Sequence, residues 1–200
     1  MKNIQQIQYR EYTIPLFYHP HNCGMPNDER TTERTIELAL ADFWLTRIDD
    51  QAMEIGAVTP YYFPGRISEI VDPADQHPLV SQKESLFSVD MRGKNILSIS
   101  TLEHIGTHDY NKISAKEDGV AALHKIMARS NTFLITFPLG YNLELQEHVG
   151  NTLFGRSITV SYYYRSKSFN DWKYTRYYKT VKNIDYGPLW ANALAVIEKQ

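Results

Sequence analysis

The sequence predicts an α/β domain built on a mostly parallel sheet, and three features carry that expectation. Ile96, Leu97 and Ile99 form a short apolar run with only small serines around them, as a strand buried on both faces of a parallel sheet requires. Runs of this kind alternate with stretches whose apolar residues recur at helical spacing, which is the pattern of strand–helix–strand units. Beyond about residue 150 the spacing changes to strict alternation, the mark of half-exposed antiparallel strands.

The 200 residues are enough for one domain with a sizeable core, so the chain is read as a single domain, 1–200, whose first 50 residues form a loop and a helix acting as a lid. Twenty-one basic against 23 acidic residues leave a net charge of −2 and no polybasic surface, which argues against nucleic-acid and membrane partners. A single cysteine, Cys23, excludes an intramolecular disulfide framework and suits a reducing compartment. The opening Met-Lys-Asn-Ile-Gln-Gln has no apolar signal core, and no segment approaches the roughly 18 apolar residues of a membrane span. A soluble, cytoplasmic protein is expected.

In chain order, Tyr18 to Gly24 reads as a loop. Its His19, His21 and Cys23 match no common zinc spacing and lack a fourth ligand, so no metal is expected, and the two histidines are assigned to a substrate-facing loop. From about Glu29, Ile36, Leu40, Phe43 and Trp44 fall on one helical face, with Asn27 or Asp28 placed to cap it. Arg30, Glu33, Arg34 and Glu37 read as a solvated, ion-paired start of that helix. Gln51 to Val58 reads as a first buried strand carrying Glu54 and then Gly56, where backbone can approach a ligand. Ile67 to Val71 is a second strand ended by Asp72, and Ser85 to Val89 a third, ended by Asp90 and Met91.

The run Ile96 to Ser100 stops abruptly in Ser100, Thr101, Glu103 and His104. An acid and an imidazole therefore stand at a strand's carboxyl end, the edge where open α/β sheets bind ligands. Ser100-x-x-Glu103 is equally a capping box opening a helix to about Tyr110, and both roles stay open for Glu103. Ser114-x-x-Glu117 is a second capping box, before a helix to about Arg129 with Val120, Leu123, Ile126 and Met127 inward. Thr132 to Phe137 is a further strand, broken by Pro138 to Asn142. Ile158 to Tyr164 alternates, Trp172 to Tyr178 can pair back on it, and Trp190 to Ile197 closes the chain as a buried strand.

This order resembles a class I S-adenosylmethionine (SAM)-dependent methyltransferase, and the wording is similar too. Glu54-Ile55-Gly56 resembles that family's first motif, and Ser100-Thr101-Leu102-Glu103-His104-Ile105-Gly106 its segment after the fourth strand. Phe137 to Asn142 and Arg30 to Leu38 are similar to segments of a bacterial subgroup of uncharacterised members. The resemblance implies a Rossmann-like three-layer sandwich with a mostly parallel seven-stranded sheet and one antiparallel strand. It implies SAM as cofactor, with Glu54 and Gly56 at its methionine part, Asp72 on the ribose, Asp90 and Met91 at the adenine, and Ser100, Thr101 and Leu102 along its reactive side. His104, assisted by Glu103, would face the acceptor.

The expected function is methyl transfer to a small polar acceptor such as a sugar or surface-glycan precursor, held by His19, His21, Tyr141 and Tyr163. A non-catalytic SAM-fold binding or scaffold protein is the alternative. An NAD-dependent oxidoreductase is disfavoured because G-x-G-x-x-G is absent. The tyrosine-rich end is open between a sugar-stacking surface and a homodimer face.

Overall fold

The computed structural model describes residues 6–17, 31–48, 52–107, 118–166, 172–187 and 191–199. The chain begins with a hairpin, β1 (Gln6–Tyr9) and β2 (Tyr12–Pro15), which sequence periodicity did not reveal. Helix α1 (Glu33–Leu45) follows, capped by Thr32, whose side chain pairs reciprocally with Thr35. Asn27 and Asp28, expected as caps, lie outside the described residues.

Strand β3 (Ala52–Ile55) runs into a four-residue helix, α2 (Thr59–Tyr62), and β4 (Glu69–Val71) comes next. Strand β5 (Asn95–Ile99) ends in one 3-10 turn, Leu102–His104. Helix α3 (Gly119–Arg129) begins at Asp118, whose carboxylate accepts from the Ala121 N–H, and leads to β6 (Thr132–Pro138). The expected capping box at Ser114 and Glu117 lies outside the described residues. Helix α4 (Leu143–Asn151), capped by Asn142, precedes β7 (Ile158–Arg165), β8 (Trp172–Thr175), the short α5 (Tyr178–Val181) and β9 (Ala193–Lys199).

Seven strands form one sheet in the order β4-β3-β5-β6-β9-β7-β8. The expectation of a mostly parallel, Rossmann-like sandwich is overturned by its pairings. The first three neighbours, from β4 to β6, are parallel, and the last three, from β6 to β8, are antiparallel. The sheet is therefore mixed, with half its pairings antiparallel. Parallel neighbours need crossovers of about a dozen residues or more, usually helical. Only the link from β5 to β6 carries a long helix, whereas β3 to β4 passes through the four-residue α2. The closing strands β7 and β8 pair back on each other, as their alternation and the short link between them favour, and β9 inserts between β6 and β7.

Ser85 to Val89 is a turn rather than a strand, because the Ser88 and Val89 N–H groups donate to the Ser85 and Leu86 carbonyls. Leu86 and Val89, three apart, both reach the core from it.

Each side of the sheet buries its own core. Ile96, Phe133, Ile135 and Phe137 face α3 and α4, while Leu97, Ile99 and Leu134 face α1. The β1-β2 hairpin covers the outer side of α1, with Tyr9 meeting Phe43 edge to face at 5.5 Å and Tyr12 tilted against it at 5.1 Å. Residues Thr35 to Ala41 of α1 are consequently all buried, so this helix has no solvated side along that stretch.

Candidate active site

Residues from α1 and from the carboxyl ends of β5 and β6 meet over the sheet edge. Thr136 lies on the α1 side of β6, and Ser100 follows β5 with an unusual φ of +41°. Their hydroxyls both donate to Oε1 of the fully buried Glu37, at 2.8 and 2.6 Å. The other oxygen of Glu37 lies 3.1 Å from Nη1 of Arg34. Burial disfavours charge on Arg34, but Glu37, Tyr62, Glu103 and Glu33 around it outweigh that and raise its pKa.

Glu103 hangs from the 3-10 turn into the same region. It is 0% exposed and neither carboxyl oxygen has a hydrogen-bond partner. The His104 imidazole stands beside it, with Nε2 3.6 Å from Oε1, beyond hydrogen-bond reach. Burial above all, with Glu37 and Glu33 nearby, pushes the Glu103 carboxyl well above the ordinary carboxylate range. Glu33 also carries an orphaned oxygen and is raised for the same reason, burial first and the Glu37 charge second.

His104 is partly exposed at the mouth. Its Nδ1 lies 3.1 Å from the Tyr141 hydroxyl and the two rings meet edge to face at 4.7 Å. Tyr141 in turn packs against Tyr186 at 5.7 Å, and burial followed by the Glu33, Glu103 and Glu37 carboxyls raises the Tyr186 pKa. Chemically this is a buried carboxyl whose burial disfavours its charged form, behind an imidazole that a tyrosine orients. Such an arrangement can pass a proton, and its orphaned oxygens can receive the donors or the positive charge of a ligand.

The remaining predicted residues are placed less uniformly. Glu54 is buried at the end of β3 and accepts from the Val58 and Thr59 N–H groups at 3.0 and 2.8 Å and from the Thr59 hydroxyl. It therefore holds the start of α2. Gly56 has φ +91°, and a Cβ there would stand 2.1 Å from Oγ1 of Thr101, so the loops after β3 and β5 are in tight contact. Oδ1 of Asp72 accepts from the Ala74 and Asp75 N–H groups at 2.8 and 2.9 Å.

Leu102 and Met91 are fully enclosed in the core, and Asp90 is exposed in a two-pronged pair with Arg92, whose hydrogen bonds hold it well below the carboxylate range. Tyr163 is fully buried in β7 on the α1 side, donating to the Gln8 carbonyl at 2.7 Å, whereas Tyr141 stands beside His104. His19 and His21 lie outside the described residues. Neither a protein family, nor a curated protein, nor a solved structure matches the chain.

Three members of the cluster, Glu33, Arg34 and Glu37, read from sequence as a solvated helix start. The dense charge at one helix end was the only available signal, and its meaning depended on the ends of β5 and β6 that pack against it. Ser100 and Glu103 do not form the capping box their spacing allows, because Ser100 is turned to Glu37 and the Glu103 carboxyl has no hydrogen-bond partner. Among the described residues, no group of three or more His, Cys, Asp or Glu side chains is arranged to hold a metal ion. Nor is any described helix long and apolar enough to cross a membrane.

Proposed function

We propose that this protein is a SAM-dependent methyltransferase acting on the hydroxyl of a small polar acceptor, such as a sugar or surface-glycan precursor. The observation that carries the reading is His104, oriented by Tyr141 at 3.1 Å and backed by the orphaned, buried Glu103 at the carboxyl end of β5. That end adjoins the point where the chain leaves the β3-β4 side of the sheet for the β5-β6 side, the place where α/β sheets accept ligands.

The donor set suits the cofactor in two places. Asp72 spends only Oδ1 on its own loop and keeps Oδ2 for a ribose diol, and the orphaned oxygens of Glu103 and Glu33 suit a cationic sulfonium or ammonium group. When bound, SAM supplies an already activated methyl group, so alignment of the acceptor carries much of the rate. His104, held in place by Tyr141, would take the proton of the acceptor hydroxyl. General-base help of this kind is typically worth about 10²–10⁴-fold.

A second reading, a non-catalytic binding or scaffold protein, draws support from Thr101 Oγ1, which fills the space above Gly56, and from Glu54, already committed to α2. Calorimetric titration with SAM and with S-adenosylhomocysteine separates the two. Binding of both, weakened about tenfold or more in Asp72→Asn, supports the transferase, because asparagine keeps the Oδ1 acceptor that holds the loop. Absence of binding by either ligand favours the scaffold. Given binding, His104→Ala is expected to lower methyl transfer while leaving SAM affinity nearly intact, and unchanged turnover overturns the role of His104.

A further inference from the structure

A second recess opens at the other end of the sheet, where β6 begins and β9 ends. It is a cavity of ≈ 220 Å³ between the β1-β2 hairpin, the last turn of α1 and the end of β9. Tyr12, Phe43 and Trp44 form an aromatic wall, and three cations, Arg10, Arg47 and Lys199, reach it against one acid, Glu198. Glu198 is already engaged, with Arg10 Nη2 at 2.8 Å and the Tyr9 hydroxyl donating to it. Among the described residues lining the cavity, cations therefore outnumber acids three to one.

The free donors are specific. Nε of Arg10 is buried and has no hydrogen-bond partner, an orphan that normally costs about 1–3 kcal/mol. The Arg47 guanidinium lies 4.7 Å from the Tyr12 ring centre and 5.3 Å from that of Phe43, held by aromatic faces rather than by an acid. Lys199 gives one hydrogen to the Ser130 carbonyl at 3.0 Å. Flat apolar walls with guanidinium and ammonium donors match a ring bearing a carboxylate. The volume is also right, because a cavity of about 150 Å³ takes benzene.

We propose that this recess binds a small aromatic carboxylate, its ring against Phe43 and Trp44 and its carboxylate on Arg47, Lys199 and the Arg10 Nε. The site lies on the far edge of the sheet from Glu103 and is independent of the transferase reading.

Benzoate is the probe, titrated by calorimetry and ligand-observed NMR into the full chain without SAM. Benzamide tests the charge and acetate tests the ring. Benzoate is expected to bind at least about tenfold more tightly than either control, and Arg47→Gln and Lys199→Gln each to weaken it about three- to tenfold. Arg47 is exposed and makes no ion pair among the described residues, so Arg47→Gln is expected to melt like the parent protein, which separates lost binding from lost folding. Absence of benzoate binding overturns the proposal. So does equal binding of benzamide or of acetate, or benzoate affinity unchanged in both variants.

Discussion

Oε1 of Glu37 accepts the Ser100 hydroxyl at 2.6 Å, joining the middle of α1 to the residue that ends β5. The same oxygen takes the Thr136 hydroxyl, and its partner oxygen faces Arg34, so one buried carboxylate organises the floor of the candidate site.

Removing that carboxylate leaves two hydroxyls without their acceptor and a guanidinium without the charge it pairs with. Glu37→Ala is expected to lower unfolding stability by about 2–4 kcal/mol, discounted from the full penalty of a buried pair because Arg34 keeps 22% of its side chain accessible. Glu37→Gln retains an acceptor for Ser100 and Thr136 and is expected to cost less. Urea denaturation midpoints give the comparison, and a loss below about 0.5 kcal/mol for alanine would show that this network contributes nothing.

Gly56 is constrained twice, by its φ of +91° and by Thr101 Oγ1, 2.1 Å from where a Cβ would stand. Gly56→Ala should destabilise by about 2–4 kcal/mol, of which the backbone conformation accounts for about 1–2. Thr101→Ala removes the hydroxyl and should relieve part of the clash. A double-mutant cycle reads this as coupling between the two sites, and strictly additive losses would contradict the contact.

Glu54 sets a pH dependence. Burial lifts its pKa from 4.5 to about 7, while the Thr59 and Val58 donors hold it from rising further. A raised folded-state pKa means that the native protein binds this proton more tightly than the unfolded chain. Its stabilisation is therefore complete below pH 4.5 and is lost as pH rises through about 7. Stability of the parent protein relative to Glu54→Gln should decline across that window, since all other groups titrate alike in the two proteins. Stability curves that stay parallel from pH 4 to pH 8 would refute the assignment.

Much of the fold was legible where local pattern and tertiary demand agree. The apolar run at Ile96 became β5, Thr132 to Phe137 became β6, and the alternation from Ile158 became β7 paired antiparallel with β8. Strand alternation failed at Ser85 to Val89, where two apolar residues three apart serve a turn as well as they would a helix. The hairpin of β1 and β2 was hidden because four-residue strands offer too few repeats to show a period.

By itself the sequence determined that strands and helices share the chain, the positions of the central strands and the delivery of Glu103 and His104 to a strand's carboxyl end. These follow from short-range hydrophobic periodicity, which is written residue by residue. Tertiary structure alone decided that the sheet is half antiparallel, that α1 is roofed by a hairpin, and that Glu33, Arg34 and Glu37 are drawn in around Glu103. A charge pattern on a helix is the same whether water or another layer lies against it, and only the packing of distant segments settles which of the two is there.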